Sequence, residues 1–190
     1  MHSTRADFAR HYSLGSSAPA HVADQTANHG RKILQITRIT VPSWLAGTAM
    51  YYRLDYQGDH RAATYAHSDW IAPPATLLES IIQNTTAANG NWHAVIGPGN
   101  PAKADASLRL QLDDFSQAFS QPRDSAGVID ATATLIDNHD DSVISQQHWH
   151  IEVAAPTADA QGGVKALGKA SRQLANDLQR WLVGVSAPAH

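Results

Sequence analysis

The sequence predicts an α+β fold, a mostly antiparallel sheet with two helices packed on one of its faces. Three observations carry that prediction. Several segments alternate apolar and polar residues with a period of two, two others repeat apolar residues along a single helical stripe, and these patterns follow one another as strands, helix, strands, helix. The chain has 190 residues, close to the length of one domain. Residues 1–190 are therefore expected to share one core, with 1–10 and 184–190 as flexible tails.

His11 to Gly15 reads as a short opening strand, and the Ser/Ala/Pro-rich stretch that follows, up to about Gly30, has turn formers without a period and reads as a loop. Ile33 to Val41 is dense in β-branched residues with no internal breaker, which favours a strand ended by Pro42. Met50 to Gln57 places Met50, Tyr52, Leu54 and Tyr56 on one side and Tyr51, Arg53 and Asp55 on the other, the pattern of a half-buried strand. Gly58-Asp59 turns the chain, and Arg61 to Tyr65 is expected to return as a hairpin partner.

The first helix is expected after Pro73-Pro74, where Leu77, Leu78, Ile81 and Ile82 recur at helical spacing, Glu79 favours the positive end of the helix dipole, and Asn89-Gly90 ends the run. Trp92 to Ile96 reads as a short strand, and the two glycines and two prolines between Gly97 and Pro101 force a loop. In Ala106 to Phe119, Leu108, Leu110 and Leu112 share one parity whereas Phe115 and Phe119 fall on the other. A bulge near Asp113-Asp114 restores register. Gly127 to Asp137 is a strand with a small-residue face, Asn138 to Asp141 a turn, and Ser142 to Val153 the third strand of an antiparallel meander. Ala160 to Leu182 closes as a helix with its apolar stripe along Val164, Leu167, Leu174, Leu178, Trp181 and Leu182.

Composition narrows the function. Hydrophobic residues make up 43% and charged residues 16%, and no apolar run is long enough to span a bilayer. Net charge is -3 and the 14 basic residues are scattered, so nucleic acid is not an expected partner. Without a single Cys the sequence has no disulfide, thiolate metal site or Cys nucleophile. Met1 to Arg5 runs into polar sequence without an apolar core, which is expected of a cytoplasmic chain or of one whose targeting segment has been removed.

No phosphate-binding glycine loop, nucleophile elbow or paired-His helix motif is present, and no catalytic residue and no cofactor are assigned. His148 and His150 lie two apart, so on a strand both rings face one side and could share a metal with His139 or Asp141. The bland alternative, a solvent-facing strand surface, is preferred because no third ligand has diagnostic spacing. Asp113-Asp114 and Asp140-Asp141 are adjacent pairs that a bulge and a turn explain. A hydrolase using Ser43, Ser68 or Ser125 with one of the 11 His is a weaker reading still, and the Asn84-Thr85-Thr86 sequon is set aside. The aromatic cluster of Trp44, Tyr51, Tyr52, Tyr56 and Trp70 is first of all core-forming. Its functional alternative is a partner surface made of Trp44, Leu45, Tyr51, Tyr52, Arg53 and Trp70, since Tyr, Trp and Arg anchor interfaces.

Several segments together resemble a known family. His11 to Gly15 is similar to its opening strand. Val41-Pro42-Ser43-Trp44-Leu45 resembles its apolar-Pro-x-apolar-apolar sequence. Met50-Tyr51-Tyr52-Arg53 together with Tyr65 to Pro74 is the most specific match, and Ala166-Leu167 with Trp181-Leu182 looks like its closing helix. The family is the ABC-type transport auxiliary lipoprotein component, which includes partners of mammalian-cell-entry type lipid transport systems. The resemblance covers nearly the whole chain and implies a non-catalytic periplasmic role beside a permease, an ATPase and a mammalian-cell-entry substrate-binding protein, with lipid as a further partner. It also implies a lipid-modified Cys upstream of the folded domain, attaching the protein to a membrane. That Cys has no counterpart in the sequence. Homo-oligomers are open if apolar surface stays exposed, although no heptad demands them.

Overall fold

The computed structural model describes residues 9–15, 32–58, 62–89 and 91–186. In chain order its elements are β1 (Arg10–Tyr12), β2 (Ile33–Ile36), β3 (Ala49–Leu54), β4 (Ala62–Trp70), α1 (Pro74–Ala88), β5 (Ala94–Ile96), β6 (Ala106–Gln121), β7 (Asp124–Asp137), β8 (Val143–Ala154) and α2 (Ala160–Ser186). Turns of 3-10 helix at Ser43–Leu45 and Asp55–Gln57 flank β3. The loop expected after Gly15 up to Gly30 lies outside the described residues, as do Asp59, Arg61 and Gly90 and, of the expected tails, residues 1–8 and 187–190. Arg10 already belongs to β1 and α2 runs on through Ser186, so residue 10 and residues 184–186, expected in the tails, lie within elements.

The sheet is built on β6. One of its edges pairs antiparallel with β7 along its whole length, and β7 pairs antiparallel with β8, which is the expected meander. The β6–β7 register shifts between Leu112 and Asp114, the place where leucine and phenylalanine parities conflict. This bulge keeps Leu108, Leu110, Leu112, Phe115 and Phe119 all buried. Along the other edge of β6, one stretch of chain runs in the same direction: Leu34–Ile36 beside Ala106–Leu108, Thr40 beside Gln111, and Tyr51–Leu54 beside Ser116–Phe119. The strand expected over Ile33 to Val41 is therefore interrupted after Ile36. Thr37 N still donates to Leu108 O at 3.0 Å and Thr40 N to Leu110 O at 2.9 Å, while between them Ile39 turns into the core.

The sheet is mixed, not mostly antiparallel. Of its seven ladders, β1–β4, β2–β5, β2–β6 and β3–β6 are parallel and β3–β4, β6–β7 and β7–β8 antiparallel. The antiparallel ladders join strands next to each other in sequence, where turn residues announce the reversal. The parallel ones join distant segments through long connections that leave no local signal.

Both helices lie on one face. α2 sits against β7 so closely that a Cβ on Gly127 would come within 2.7 Å of Leu167 N and 2.9 Å of the Ala166 carbonyl carbon. The small residues Gly127, Ala131 and Ala133 thus make a shallow bed for the buried Ala166 and Ala170 of α2. α1 packs beside α2, and Leu78, Ile81 and Ile82 share one apolar cluster with Leu167, Leu174, Leu178 and Leu182 and the sheet. Glu79 lies beyond the first turn of α1; its role is to accept the Ile39 N–H at 2.7 Å, tying the helix to the interruption in the split strand. Asp159 caps α2, its Oδ1 accepting the Gly162 N–H at 2.7 Å.

Candidate functional site

Because Gly127 faces α2, the alternate residues Asp130, Thr132 and Thr134 of β7 face the opposite, helix-free side. Register carries the assignment across the sheet, with Asp114 of β6, Asp130 of β7 and His150 of β8 in one transverse row. Arg53 of β3 forms an ion pair with Asp114 and a second contact of 3.4 Å from Nε to Asp55 Oδ1. Arg53 and Tyr51 therefore share that open face. Asp114 Oδ1 and Ser116 Oγ are buried beneath them without a hydrogen-bond partner among the described residues.

Trp44 completes this corner. The 3-10 turn at Ser43–Leu45 sends neighbouring side chains in opposite directions, so Leu45 is 1% exposed in the core and Trp44 is 37% exposed. The Trp44 ring meets Tyr51 edge to face at 5.0 Å between centroids. What the open face offers chemically is a large aromatic edge, a half-buried tyrosine and a guanidinium already held in place by a carboxylate.

The six residues expected to form a partner surface separate. Trp44, Tyr51 and Arg53 stay together on the open face. Leu45 and Trp70 are corrected to core: Trp70 is 1% exposed and packs at 5.5 Å on Phe115, because the strand that carries it continues to residue 70 and turns it beneath the helices. Tyr52 points the other way, between Tyr65 at 4.8 Å and Phe119 at 6.1 Å. There the Tyr65 hydroxyl donates to Gln117 Oε1 at 2.8 Å and Gln117 Nε2 donates to Ser125 Oγ at 2.8 Å, a partly buried structural chain. Burial first, then Tyr52 and Asp159, push the Tyr65 hydroxyl well above the ordinary phenol range.

His148 and His150 do face one side of a strand, together with Asp130. His148 Nε2 lies 3.2 Å from Asp130 Oδ1 and His150 Nδ1 3.0 Å from Asp130 Oδ2. The remaining ring nitrogens are also engaged, that of His148 with Thr132 Oγ1 at 3.2 Å and that of His150 with Glu152 Oε1 at 3.1 Å. Hydrogen bonds that the ring donates to the carboxylates of Asp130 and then Glu152 raise the His150 pKa above its ordinary value. The third ligands considered, His139 and Asp141, lie in the turn before β8, where Asp141 has φ 58°. Among the described residues no group of three or more His, Cys, Asp or Glu is placed to hold a metal ion. Asp140 caps that turn, accepting the Ser142 N–H at 3.0 Å, and its bonds with Ser142 hold its carboxyl below the usual range.

A second feature escaped the sequence. An open groove of about 330 Å³ runs between the end of β1 and α1, lined by Leu14, Ile71, Leu77 and Ile81 with Ser13 and Ser80 at its rim. Ile71, 58% exposed at the end of β4, was hidden by its place next to the prolines that start α1.

A sequence model of the ABC-type transport auxiliary lipoprotein component matches residues 12–179. The chain belongs to that family. The match runs from the end of β1 into the later turns of α2 and includes both the Trp44 corner and the histidine row, so the resemblance holds as a continuous relationship, with His11 and Trp181-Leu182 outside the matched range. Members of this family are auxiliary components of transport systems. No curated protein sequence matches the chain. Among solved structures, protein XCC0632 from Xanthomonas campestris superposes with a TM-score of 0.69 at 18% identity over 81% of this chain and 85% of that one. A second crystal structure, of an uncharacterized protein, gives 0.69 at 16% identity over 92% and 99%. The hypothetical protein CT253 from Chlamydia trachomatis gives 0.53 at 7% over 84% and 100%. These three share the fold of this ABC-type auxiliary component. Among its described residues no helix is long and apolar enough to cross a membrane.

Proposed function

We propose that the chain is a non-catalytic periplasmic auxiliary component that helps an ABC system move lipid or another hydrophobic substrate across the cell envelope. Its part is played through protein contacts at Trp44, Tyr51 and Arg53, with a permease, an ATPase or a mammalian-cell-entry substrate-binding protein as partner, and the membrane is reached through an N-terminal lipid anchor. The observation that carries the contact site is the exposed Trp44 ring set edge-on against Tyr51, beside an arginine fixed by Asp114. A rigid aromatic pair and a pre-positioned guanidinium lose little conformational freedom on binding, which makes them effective anchors.

Co-purification of the transport complex through this component tests the reading. Trp44→Ala and Tyr51→Ala are expected to lose the partners while the protein stays folded; full retention by the folded double variant overturns the site. A hydrophobic cargo has its own supporting observation in the groove at Leu14, Ile71, Leu77 and Ile81, whose volume lies at the small end for ligand sites. Displacement of a fluorescent fatty acid, lost in Ile71→Asp, is the expected result; no binding by the wild type removes this part.

A further inference from the structure

The sheet ends at one long free strand. Among the described residues β8 pairs only with β7, whereas the other terminal strands, β1 and β5, are each 3 residues long. β8 has 12 residues with no Lys, Arg, Pro or Gly, and Glu152 is its single carboxylate. Folded proteins protect such edges with short strands, lysines, prolines or bulges, because an uncovered edge recruits another strand. Beyond its first residues, where the register with β7 shifts at Leu135/Ile136, β8 carries none of these devices. Val143 and Ile144, 62% and 42% exposed, even add apolar side chains to it.

The phase of the ladder identifies which backbone groups are free. Ala155 N donates to Ser125 O at 2.8 Å in continuation of the register that sets Ala126 opposite Ala154. Bonded and non-bonded pairs alternate in antiparallel strands. Gln147, Trp149, Ile151 and Val153 therefore bond inward to β7, and the N–H and C=O groups of Gln146, His148, His150 and Glu152 point to the free edge. In keeping with this, the His148 carbonyl accepts a side-chain amide, Gln147 Nε2 at 2.8 Å.

We infer that the free edge of β8 pairs antiparallel with β8 of a second copy of this chain. A strand of identical length with the same spacing of outward groups is what a two-fold axis supplies. Outward residues must meet outward residues. Two registers overlap almost fully and equally, and the one that gives Glu152 a polar neighbour sets Ile144 opposite Ala154, Gln146 opposite Glu152 and His148 opposite His150 of the second copy. The only carboxylate of the strand then meets an amide, and no carboxylate meets a carboxylate. On the helix side the partly buried Trp149 and Trp181, in contact at 5.7 Å, come to the seam and lose their remaining exposure. This contact is independent of the proposed function, since β6 and β7 separate β8 from β3 and the Trp44 corner.

Sedimentation equilibrium combined with residue-resolved hydrogen exchange of the full chain tests the pairing. Concentration-dependent self-association is expected, with the amides of Gln146, His148, His150 and Glu152 slowed at high concentration and released on dilution. Gln146→Pro removes one outward donor at an edge position that accepts proline. It should weaken association about ten-fold or more, equivalent to roughly 1.4 kcal/mol, without altering the far-ultraviolet spectrum. Gln146→Lys replaces it should the proline variant not fold. A monomer at every concentration, undiminished association in a folded variant, or protection of those four amides only in the presence of a different protein each overturns the inference.

Discussion

Replacing Trp44 and Leu45 one at a time by alanine separates contact surface from core at adjacent positions. Leu45 is 1% exposed, and removing a buried leucine side chain leaves a cavity whose loss is about 2–5 kcal/mol. For a chain of this size each kcal/mol lowers Tm by roughly 2–4 °C, so Leu45→Ala should melt on the order of 10 °C lower. Trp44 is 37% exposed, and its edge-to-face contact with Tyr51 is worth about 0.5–1.5 kcal/mol. That contact alone corresponds to roughly 1–6 °C in Tm, so Trp44→Ala should melt well above Leu45→Ala. Calorimetric melts of the two variants at one pH supply the comparison, and partner co-purification supplies the other half, with Trp44→Ala expected to fail there despite its near-normal melt. Equal destabilisation of both variants would refute the reasoning, because Trp44 would then be packed as core and not held out for contact.

Gly127→Val sets a branched side chain against the α2 backbone, where even a Cβ is too close; a loss of about 1–3 kcal/mol in denaturant melts is expected, and an unchanged midpoint would show that α2 does not rest on that residue. Asp159→Ala removes the cap on α2 and should lose about 0.5–2 kcal/mol. Bonds from the Gly162 N–H and then the Thr157 hydroxyl hold the Asp159 carboxyl below its ordinary value. Its contribution is thus present above the unfolded carboxylate pKa and fades as pH falls through the lower folded one, so the variant and wild-type melts should converge in acid. The His150 imidazole has a raised pKa; its small, solvent-screened contribution is full below the unfolded value near 6.5 and fades as pH rises through the folded value. Proton NMR titration should show Asp130→Asn lowering the His150 midpoint, and an unmoved midpoint would remove Asp130 as the cause.

The sequence was informative wherever the physics is local. The opposite parities of Leu112 and Phe115 located the bulge, because a one-residue slip would expose one of those sets. The alternation in β3 correctly separated Tyr51 and Arg53 from Met50 and Tyr52, as the ion pair to Asp114 and the buried Met50 show. Turn residues marked the meander for the same reason. The parallel pairing of β2 and β3 with β6 was not legible, since it depends on segments about 65 to 70 residues apart meeting along one edge. Nor was the division of the aromatic cluster. Trp70 became core through the length of β4, and Leu45 through a 3-10 turn that periodicity does not announce.

The two faces of the sheet answer to different constraints. On the helix side Gly127, Ala131 and Ala133 must stay small for α2 to close, and Trp70, Phe115 and the leucines must fill what remains. Change there disturbs the whole cluster. On the open face Asp130, Thr132, His148 and His150 hydrogen-bond among themselves and bury little apolar area, so many polar sets would leave the fold equally stable. The open face is therefore the side on which the proposed contact residues can change with little cost to the fold. Trp44 stands out against this background: its site lies on a turn already anchored by buried Leu45, so the ring adds to stability mainly through its edge-to-face contact with Tyr51. The exposed part of that ring is apolar surface that the proposed partner contact would remove from water.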